Sequence, residues 1–164
     1  MPSNSYTDRA ASASRNDDNL PPLGAAPDRA APDRATVAGR RRFRVLVVED
    51  DAIAAMDLEE TLDKLGYAVC GLAATASQAV RTAEAERPDL VLMDIRLADG
   101  SNGIDAAAEI RERLGIPSLS VTAHDDPATL RRADAARPLG YVRKPYSDAD
   151  IYTALRRALQ MPDA

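Results

Sequence analysis

Short uninterrupted apolar runs alternate with helical repeats from Phe43 onward, and this alternation constrains the fold more than any other feature of the chain. Residues 45–48 (VLVV) and 90–93 (LVLM) are continuous aliphatic runs, which is typical of strands buried on both faces of a parallel sheet. Between such runs, apolar residues recur at helical spacing. The unit of strand and helix occurs five times, which predicts an α/β domain with a doubly wound, five-stranded parallel sheet and helices on both faces.

Local signals mark the starts and ends of the remaining elements. Further strands are expected near 68–72, 116–121 and 141–142, and residues 99–103 (DGSNG) have the composition of a loop. The first helix is expected to bury one apolar series, Ile53, Leu58, Leu62 and Leu65. Helix starts are predicted from capping residues, namely Thr75 with Gln78, Asp126 with Pro127, and Ser147 with Asp150.

The first 42 residues differ in composition from the rest of the chain. They are rich in Ala, Ser, Asn, Asp, Arg and Pro and hold almost no large apolar residues, which predicts a disordered N-terminal tail at 1–42. The folded domain is expected at 43–160, followed by a short C-terminal tail at 161–164. The basic run from Arg40 to Arg42 is interpreted as a solvated flank of that domain.

Charge and hydropathy argue against two classes of partner. The formal net charge of −5 gives no indication of nucleic-acid binding. No apolar run approaches the roughly 20 residues that a membrane-spanning helix needs. The N-terminus also lacks the apolar stretch of a secretory signal. A cytoplasmic protein without membrane or nucleic-acid partners is therefore expected.

Polar side chains follow the predicted strands at the points where the strands end. Because ligands of open parallel sheets bind at the carboxyl ends of the strands, these side chains are expected to converge at one edge of the sheet. The residues concerned are Glu49, Asp50 and Asp51 after the first strand, Asp94 after the third, Thr122 after the fourth and Lys144 after the fifth.

Several carboxylates in one crevice repel each other, and a divalent cation relieves that repulsion. The available ligands are all oxygens, which favours a hard ion, Mg²⁺ or Mn²⁺. Lys144 supplies a second positive charge that can pair with Asp94, and Thr122 supplies a hydroxyl donor. A cation, a lysine and a hydroxyl around a carboxylate suit the oxygens of a phosphoryl group. The carboxylate itself can act as the nucleophile and form an aspartyl phosphate.

Four motifs in chain order resemble the receiver domains of bacterial two-component response regulators, and the resemblance covers about residues 43–160. The resemblance implies the flavodoxin-like strand order 2-1-3-4-5. The motifs are Val47-Val48-Glu49-Asp50-Asp51, Leu92-Met93-Asp94-Ile95-Arg96, Val121-Thr122-Ala123 and Gly140-Tyr141-Val142-Arg143-Lys144-Pro145.

The resemblance also implies which residues bind the metal and accept the phosphoryl group. Asp94 matches the phosphoacceptor. Asp50 matches the direct ligand of Mg²⁺, and Glu49 matches the acid that acts mostly through water. The backbone carbonyl of Arg96 would complete the protein ligands. Asp51 is assigned instead to the start of the first helix, where negative charge is favourable.

A second set of residues matches the phosphoryl-binding and switch positions of the family. Thr122 would be the hydroxyl that moves toward the phosphoryl group, and Ala123 follows it in the same motif. Lys144 would bind the phosphoryl oxygens, and its peptide bond to Pro145 would be cis. Tyr141 matches the aromatic residue that turns inward on activation.

Together these inferences predict a single-domain response regulator of a phosphorelay. It would take its phosphoryl group from a histidine kinase or a histidine phosphotransfer protein. Since only 161–164 follow the last helix, the output is expected to be a protein contact. The expected face is the fourth helix, fifth strand and fifth helix, with Tyr141, Tyr146 and Tyr152. His124 is interpreted as a solvent-facing loop residue and not as a phosphodonor.

Two alternatives stay open. A receiver-shaped binding module that is never phosphorylated would carry the same residues. A phosphatase of the haloacid-dehalogenase type also uses an aspartate nucleophile, but it needs a second aspartate where this chain has Arg96. The prediction is therefore a signalling domain and not an enzyme, apart from self-catalysed phosphorylation and dephosphorylation.

Overall fold

The structure is a computed structural model that describes residues 36–37, 40–123 and 126–160. For residues 36, 37 and 40 only the backbone is described. The predicted tail up to residue 35, His124 and the predicted C-terminal tail at 161–164 lie outside these ranges, so the proposed domain boundaries stay predictions. Among the described residues, no helix has the length and apolar character that crossing a bilayer requires.

Five parallel strands form the central sheet in the order 2-1-3-4-5, which confirms the predicted fold class. The chain runs from β1 outward to β2 and then crosses back to β3, so the winding direction reverses between β1 and β3. A separate two-stranded hairpin, Thr36–Val37 with Arg40–Arg41, precedes the sheet. The five strands are β1 (Arg44–Val48), β2 (Ala68–Ala73), β3 (Leu90–Asp94), β4 (Ser118–Thr122) and β5 (Tyr141–Arg143).

Helices cover both faces of the sheet. The helices are α1 (Ala52–Lys64), α2 (Ala76–Glu86), α3 (Gly103–Leu114), α4 (Pro127–Ala135) and α5 (Asp148–Gln160). Val45 and Val47 share one core with α1 and α5, whereas Leu46 and Val48 share another with α2, α3 and α4. Successive residues of β1 therefore enter two different cores, which explains why its sequence is a continuous apolar run.

Capping side chains begin the helices where the sequence predicts them. The Asp51 carboxylate accepts hydrogen bonds from two backbone N–H groups in the first turn of α1. Thr75 and Asp126 cap α2 and α4 in the same way. At the start of α5, the Ser147 backbone N–H donates to Asp150, whose own N–H donates to the Ser147 hydroxyl. These local bonds fix the helix starts independently of the core.

Ile53 is exposed, which corrects the prediction that it belongs to the buried stripe of α1. Its exposed fraction is 74%. The buried residues of α1 are Ala55, Leu58 and Leu62. The step from Ile53 to Leu58 is five residues, and only steps of three or four keep side chains on one helix face. At about 100° per residue, Ile53 therefore lies on the side of α1 opposite the stripe.

Two further predictions differ from the structure. The fourth strand begins at Ser118 and not at residue 116, because Pro117 lacks the N–H that a strand residue contributes to the ladder. Tyr146, expected on the exposed face with Tyr141 and Tyr152, is half-buried against the core that contains α1 and α5. Of the three tyrosines, Tyr141 and Tyr152 are the exposed ones.

Arg41 and Arg42 are paired with the domain, which corrects their interpretation as part of a solvated flank. The Arg42 guanidinium pairs with the Asp63 carboxylate at 2.7 Å, and its side chain is only 16% exposed. It also donates to the backbone carbonyls of Asp63, Gly66 and Tyr67. A cation at the C-terminal end of a helix satisfies its last carbonyls, so Arg42 stabilises the end of α1.

Replacing Arg42 with alanine is expected to lower the free energy of unfolding by roughly 2 kcal/mol, because several carbonyls lose a charged donor. Arg41→Ala is the matched control. Arg41 pairs with Asp89 at 3.2 Å but is 65% exposed, so its loss is expected to cost less than about 0.5 kcal/mol. Urea denaturation of both variants measures the difference, and equal losses would contradict the role given to Arg42.

Candidate functional site

The carboxyl ends of the strands bring the predicted polar residues together at one edge of the sheet. Asp94 and Thr122 are the last residues of β3 and β4. Glu49 and Asp50 follow β1, and Lys144 follows β5. All five line one crevice of about 260 Å³. The crevice lies beside the reversal of winding between β1 and β3, where ligands of open α/β sheets bind.

Lys144 joins the two most buried carboxylates of the crevice. Its Nζ donates to Asp94 Oδ2 and to Glu49 Oε2, both at 2.9 Å. Glu49 is 5% exposed and Asp94 is 6% exposed. Burial by itself would lower the pKa of Lys144, but its hydrogen bonds and its attraction to the two acids outweigh that effect and raise the pKa. The lysine is therefore a fixed positive charge beside Asp94.

Glu49 is held in the crevice from two sides. The Asp51 backbone N–H donates to Glu49 Oε1 at 3.1 Å, while Lys144 holds the other oxygen. Burial raises the pKa of Glu49, and the bonds from Lys144 and Asp51 partly offset that rise. A carboxylate in such a place gains from any further positive charge that the crevice takes up.

The backbone around Asp94 is packed directly against the start of α3. Gly103, the first residue of α3, donates its N–H to the Ile95 carbonyl at 3.0 Å. A Cβ at position 103 would lie 1.8 Å from the Asp94 carbonyl oxygen, so only glycine fits. The Arg96 N–H donates to Asp94 Oδ1 at 3.2 Å. Sequence reasoning placed Gly103 in a loop and missed this contact, although a glycine just after the capping residue Asn102 was a signal of close packing.

The donor set fits a hard divalent cation. One carboxylate oxygen from each of Glu49, Asp50 and Asp94 lies within 4.8 Å of the others. All the donors are oxygens, the ligand type that Mg²⁺ and Mn²⁺ prefer. The Asp51 carboxylate instead bonds the first turn of α1. The assignment of Asp50, and not Asp51, to the cation site agrees with this geometry, and the Arg96 carbonyl stays a predicted ligand.

Asp50→Ala is expected to weaken Mn²⁺ or Mg²⁺ binding by at least about tenfold, because it removes an oxygen ligand. Asp51→Ala removes the same charge one residue away. Its expected effect is a loss of helix-capping stability near 1 kcal/mol with little change in cation affinity. Calorimetric titration of each variant with Mn²⁺ or Mg²⁺ shows which of the two carboxylates is the cation ligand. Equal losses of affinity would mean that the ligand is misassigned.

Tyr141 lies outside the crevice and is tied to α4. Its hydroxyl donates to the Asp134 carboxylate, and its ring is exposed. Burial of part of the ring and the bond to Asp134 raise the pKa of Tyr141. Thr122 is buried at the end of β4, and Ala123 lines the mouth of the crevice. Tyr141 is thus in an outward position and does not line the crevice.

The predicted cis peptide bond between Lys144 and Pro145 is present. It follows β5 directly, at the point where the chain turns toward α5. The Lys144 backbone N–H donates to the Thr122 carbonyl at 2.7 Å, which extends the pairing of β4 and β5 to the edge of the crevice. Lys144 is thereby held at two points, by its backbone N–H and by its ammonium group.

Fold and crevice together define a class of protein, the doubly wound α/β domains that carry carboxylates and a paired lysine at the carboxyl edge of the sheet. Residues 45–156 match the response regulator receiver domain, and the chain belongs to that family. The resemblance of the four motifs is thereby confirmed.

Known relatives are regulators by name. The phyllosphere-induced regulator PhyR of Methylorubrum extorquens is 36% identical over 116 residues, which cover 70% of this chain and 43% of PhyR. The transcriptional regulatory protein PdtaR of Mycobacterium tuberculosis is 39% identical over 116 residues, which cover 71% of this chain and 56% of PdtaR. The chain therefore spans about half the length of these curated relatives.

A solved structure supports the same assignment at the level of the fold. The solution structure of the PhyR receiver domain from Erythrobacter litoralis is similar to this chain with a TM-score of 0.66 and 37% sequence identity. The match covers 75% of this chain and 96% of that domain. The family is one of signalling domains, and the relatives named here are regulators rather than catalysts.

Proposed function

We propose that this chain is a phosphorylation switch that accepts a phosphoryl group on Asp94 from the phosphohistidine of a histidine kinase or a histidine phosphotransfer protein. The observation that carries the proposal is the double contact of Lys144 with Glu49 and Asp94. A solvated acidic turn needs no such lysine. A buried carboxylate beside a fixed ammonium group and further acidic oxygens suits the charge that develops on a transferring phosphoryl group.

The transfer is a displacement at phosphorus. An Asp94 carboxylate oxygen forms the new O–P bond, the P–N bond to the donor histidine breaks, and its electron pair returns to the imidazole nitrogen. Lys144 keeps its proton and neutralises the incoming oxygens, since its pKa is raised. Glu49, Asp50 and Asp94 would hold Mg²⁺, which supplies further positive charge to the phosphoryl oxygens when bound.

Phosphorylation would then change the surface formed by α4, β5 and α5. The phosphoryl group adds negative charge and acceptor oxygens, and the Thr122 hydroxyl would gain a bond by moving toward them. That movement would vacate space behind β4, which the Tyr141 ring can fill after it leaves Asp134. A ring with an apolar body and a polar tip tolerates both positions. A partner protein that reads this surface is the proposed output.

Intact mass spectrometry of the full chain after incubation with acetyl phosphate tests the proposal. The expected result is the mass gain of one phosphoryl group in the presence of Mg²⁺ and no gain in the presence of a chelator, because the charge of the crevice must be balanced for transfer. No gain in Mg²⁺ would contradict the proposal and favour a receiver-shaped binding module that is not regulated by phosphorylation.

A further inference from the structure

The last turn of α4 carries a carboxylate at a place where a helix disfavours one. Asp134 is the only acidic residue of α4 and lies next to its last residue. The C-terminal end of a helix has a partial negative charge, so a carboxylate there lowers the stability of the helix unless a donor offsets it. The Tyr141 hydroxyl is such a donor, because it bonds the Asp134 carboxylate. Asp134 therefore contributes more to the contact with β5 than to α4 itself.

Few apolar contacts hold α4 on the sheet. Among the described residues, Ala133 is the one buried residue of α4, whereas α3 buries five. At the C-terminal end of α4, two side chains from other elements bond it. Tyr141 donates to Asp134, and the Arg111 guanidinium donates to the Arg137 carbonyl at 3.1 Å. A helix with so little buried surface has low local stability, so one hydrogen bond has a large share in fixing its position.

The pairing of β4 with β5 shows where an inward Tyr141 ring would lie. Tyr141 is the partner of Ser120 in the parallel register. Val121 faces the core that contains α1 and α5, so its neighbours Ser120 and Thr122 face the other side of the sheet, toward α4. Both are buried. An inward ring would lie over the small Ser120 side chain beside Thr122, whereas the bond to the exposed Asp134 holds the ring at the surface.

We propose that Asp134 is a positioning residue that holds the Tyr141 ring outward and thereby opposes phosphorylation of the domain. The inference rests on the proposed function, in which phosphorylation favours the inward ring. A bond made only in the outward state stabilises that state against the inward one. It also lowers the apparent affinity of the crevice for a phosphoryl group, because the state that binds the group best is less populated. Asp134 would thus set how readily the switch turns.

Beryllofluoride is an analogue of the phosphoryl group, and its binding measures this restraint at equilibrium. Calorimetric titration of the full chain in Mg²⁺ is expected to give about fivefold higher affinity in Asp134→Ala than in wild type. The reason is that the outward state loses a hydrogen bond to a charged acceptor while the inward state loses none. Loss of a merely structural contact would lower the affinity or leave it unchanged, so a rise is specific to a restraint.

Two further variants show whether the hydrogen bond carries the effect. Asp134→Asn keeps an acceptor oxygen for the Tyr141 hydroxyl, so its affinity for beryllofluoride is expected to stay within about twofold of wild type. Tyr141→Phe removes the donor. In that background, Asp134→Ala is expected to change the affinity by less than about 1.5-fold, because no bond remains to be lost.

Glu112→Ala is the matched control for the loss of charge. Glu112 is exposed on α3 and lies beside the end of α4, in a groove that it shares with Ala135 and Ala136. Its expected affinity for beryllofluoride is within about 1.5-fold of wild type, as for other surface changes away from a site. Thermal melting followed by circular dichroism checks that every variant is folded.

Two outcomes would overturn the inference alone: an affinity in Asp134→Ala that is equal to or below that of wild type, or a rise of the same size in the Tyr141→Phe background. The second outcome would mean that Asp134 acts by its charge and not through the Tyr141 hydroxyl. Wild type that neither binds beryllofluoride nor gains a phosphoryl group would instead contradict the proposed function, and the inference with it.

Discussion

Replacing Asp94 with asparagine is expected to abolish the phosphoryl gain from acetyl phosphate completely. The amide cannot act as the nucleophile that a carboxylate provides. It nevertheless has nearly the same shape. Its single oxygen can accept one of the two bonds that Lys144 and the Arg96 N–H now donate to separate oxygens of Asp94. Because the shape is kept, the fold should survive, and intact mass spectrometry should detect the loss of the acceptor.

Asp105→Asn provides the matched control for this substitution. Asp105 is exposed in the first turn of α3, so the change removes one negative charge without touching the crevice. Its phosphorylation is expected to stay within about twofold of wild type, as for other surface changes away from a site. A full phosphoryl gain in Asp94→Asn would show that another carboxylate is the acceptor, and Asp50 would be the first to examine because it lines the same crevice.

Gly103→Ala is expected to have the second large effect, on stability and on phosphorylation together. The new Cβ would meet the Asp94 carbonyl oxygen at 1.8 Å and the Ile95 Cα at 3.2 Å. Both are backbone atoms that cannot turn aside, so α3 and the end of β3 must separate. Overpacking of this kind costs roughly 3 kcal/mol. A displacement of Asp94 by about 1 Å would slow phosphoryl transfer on the order of a hundredfold.

Gly140→Ala is the control, because Gly140 is a glycine that lies just before β5 and away from α3. Its new Cβ would meet only the end of the Leu119 side chain, at 3.2 Å, and that side chain can adjust. Urea denaturation and the rate of phosphorylation should both separate the two variants clearly. If Gly103→Ala unfolds at the same urea concentration as Gly140→Ala, the close packing of α3 on Asp94 does not limit the stability of the domain.

The strand pattern predicted most of the fold and the location of the candidate site. A run such as residues 45–48 has no alternation, so it must be buried on both faces, and a parallel sheet follows from that. Parallel strands then place Glu49, Asp94, Thr122 and Lys144 at one edge regardless of how the helices are rotated. For this reason the convergence of the site could be predicted from one sequence.

Contacts that depend on helix rotation or on close backbone packing could not be predicted in the same way. The bond between Tyr141 and Asp134 requires the exact placement of α4 beside β5. The exposure of Ile53 follows from which side of α1 meets the sheet. The packing of Gly103 on Asp94 depends on the path of residues 95–102. A sequence pattern describes which residues are apolar, and it does not specify these relative positions.

Lys144 is bonded to both Glu49 and Asp94, and this double contact affects how the crevice can bind ions. A divalent cation that bound here would compete with the ammonium group of Lys144 for the oxygens of Glu49 and Asp94. Because the ammonium group is always present, the fraction of crevices that hold a cation should depend on the free cation concentration. Trace concentrations of the cation should not saturate the crevice. A cation that held the carboxylates would release the ammonium group to an incoming anion. The two internal ion pairs of Lys144 would be exchanged for two external ligands, and each ligand would therefore favour the binding of the other.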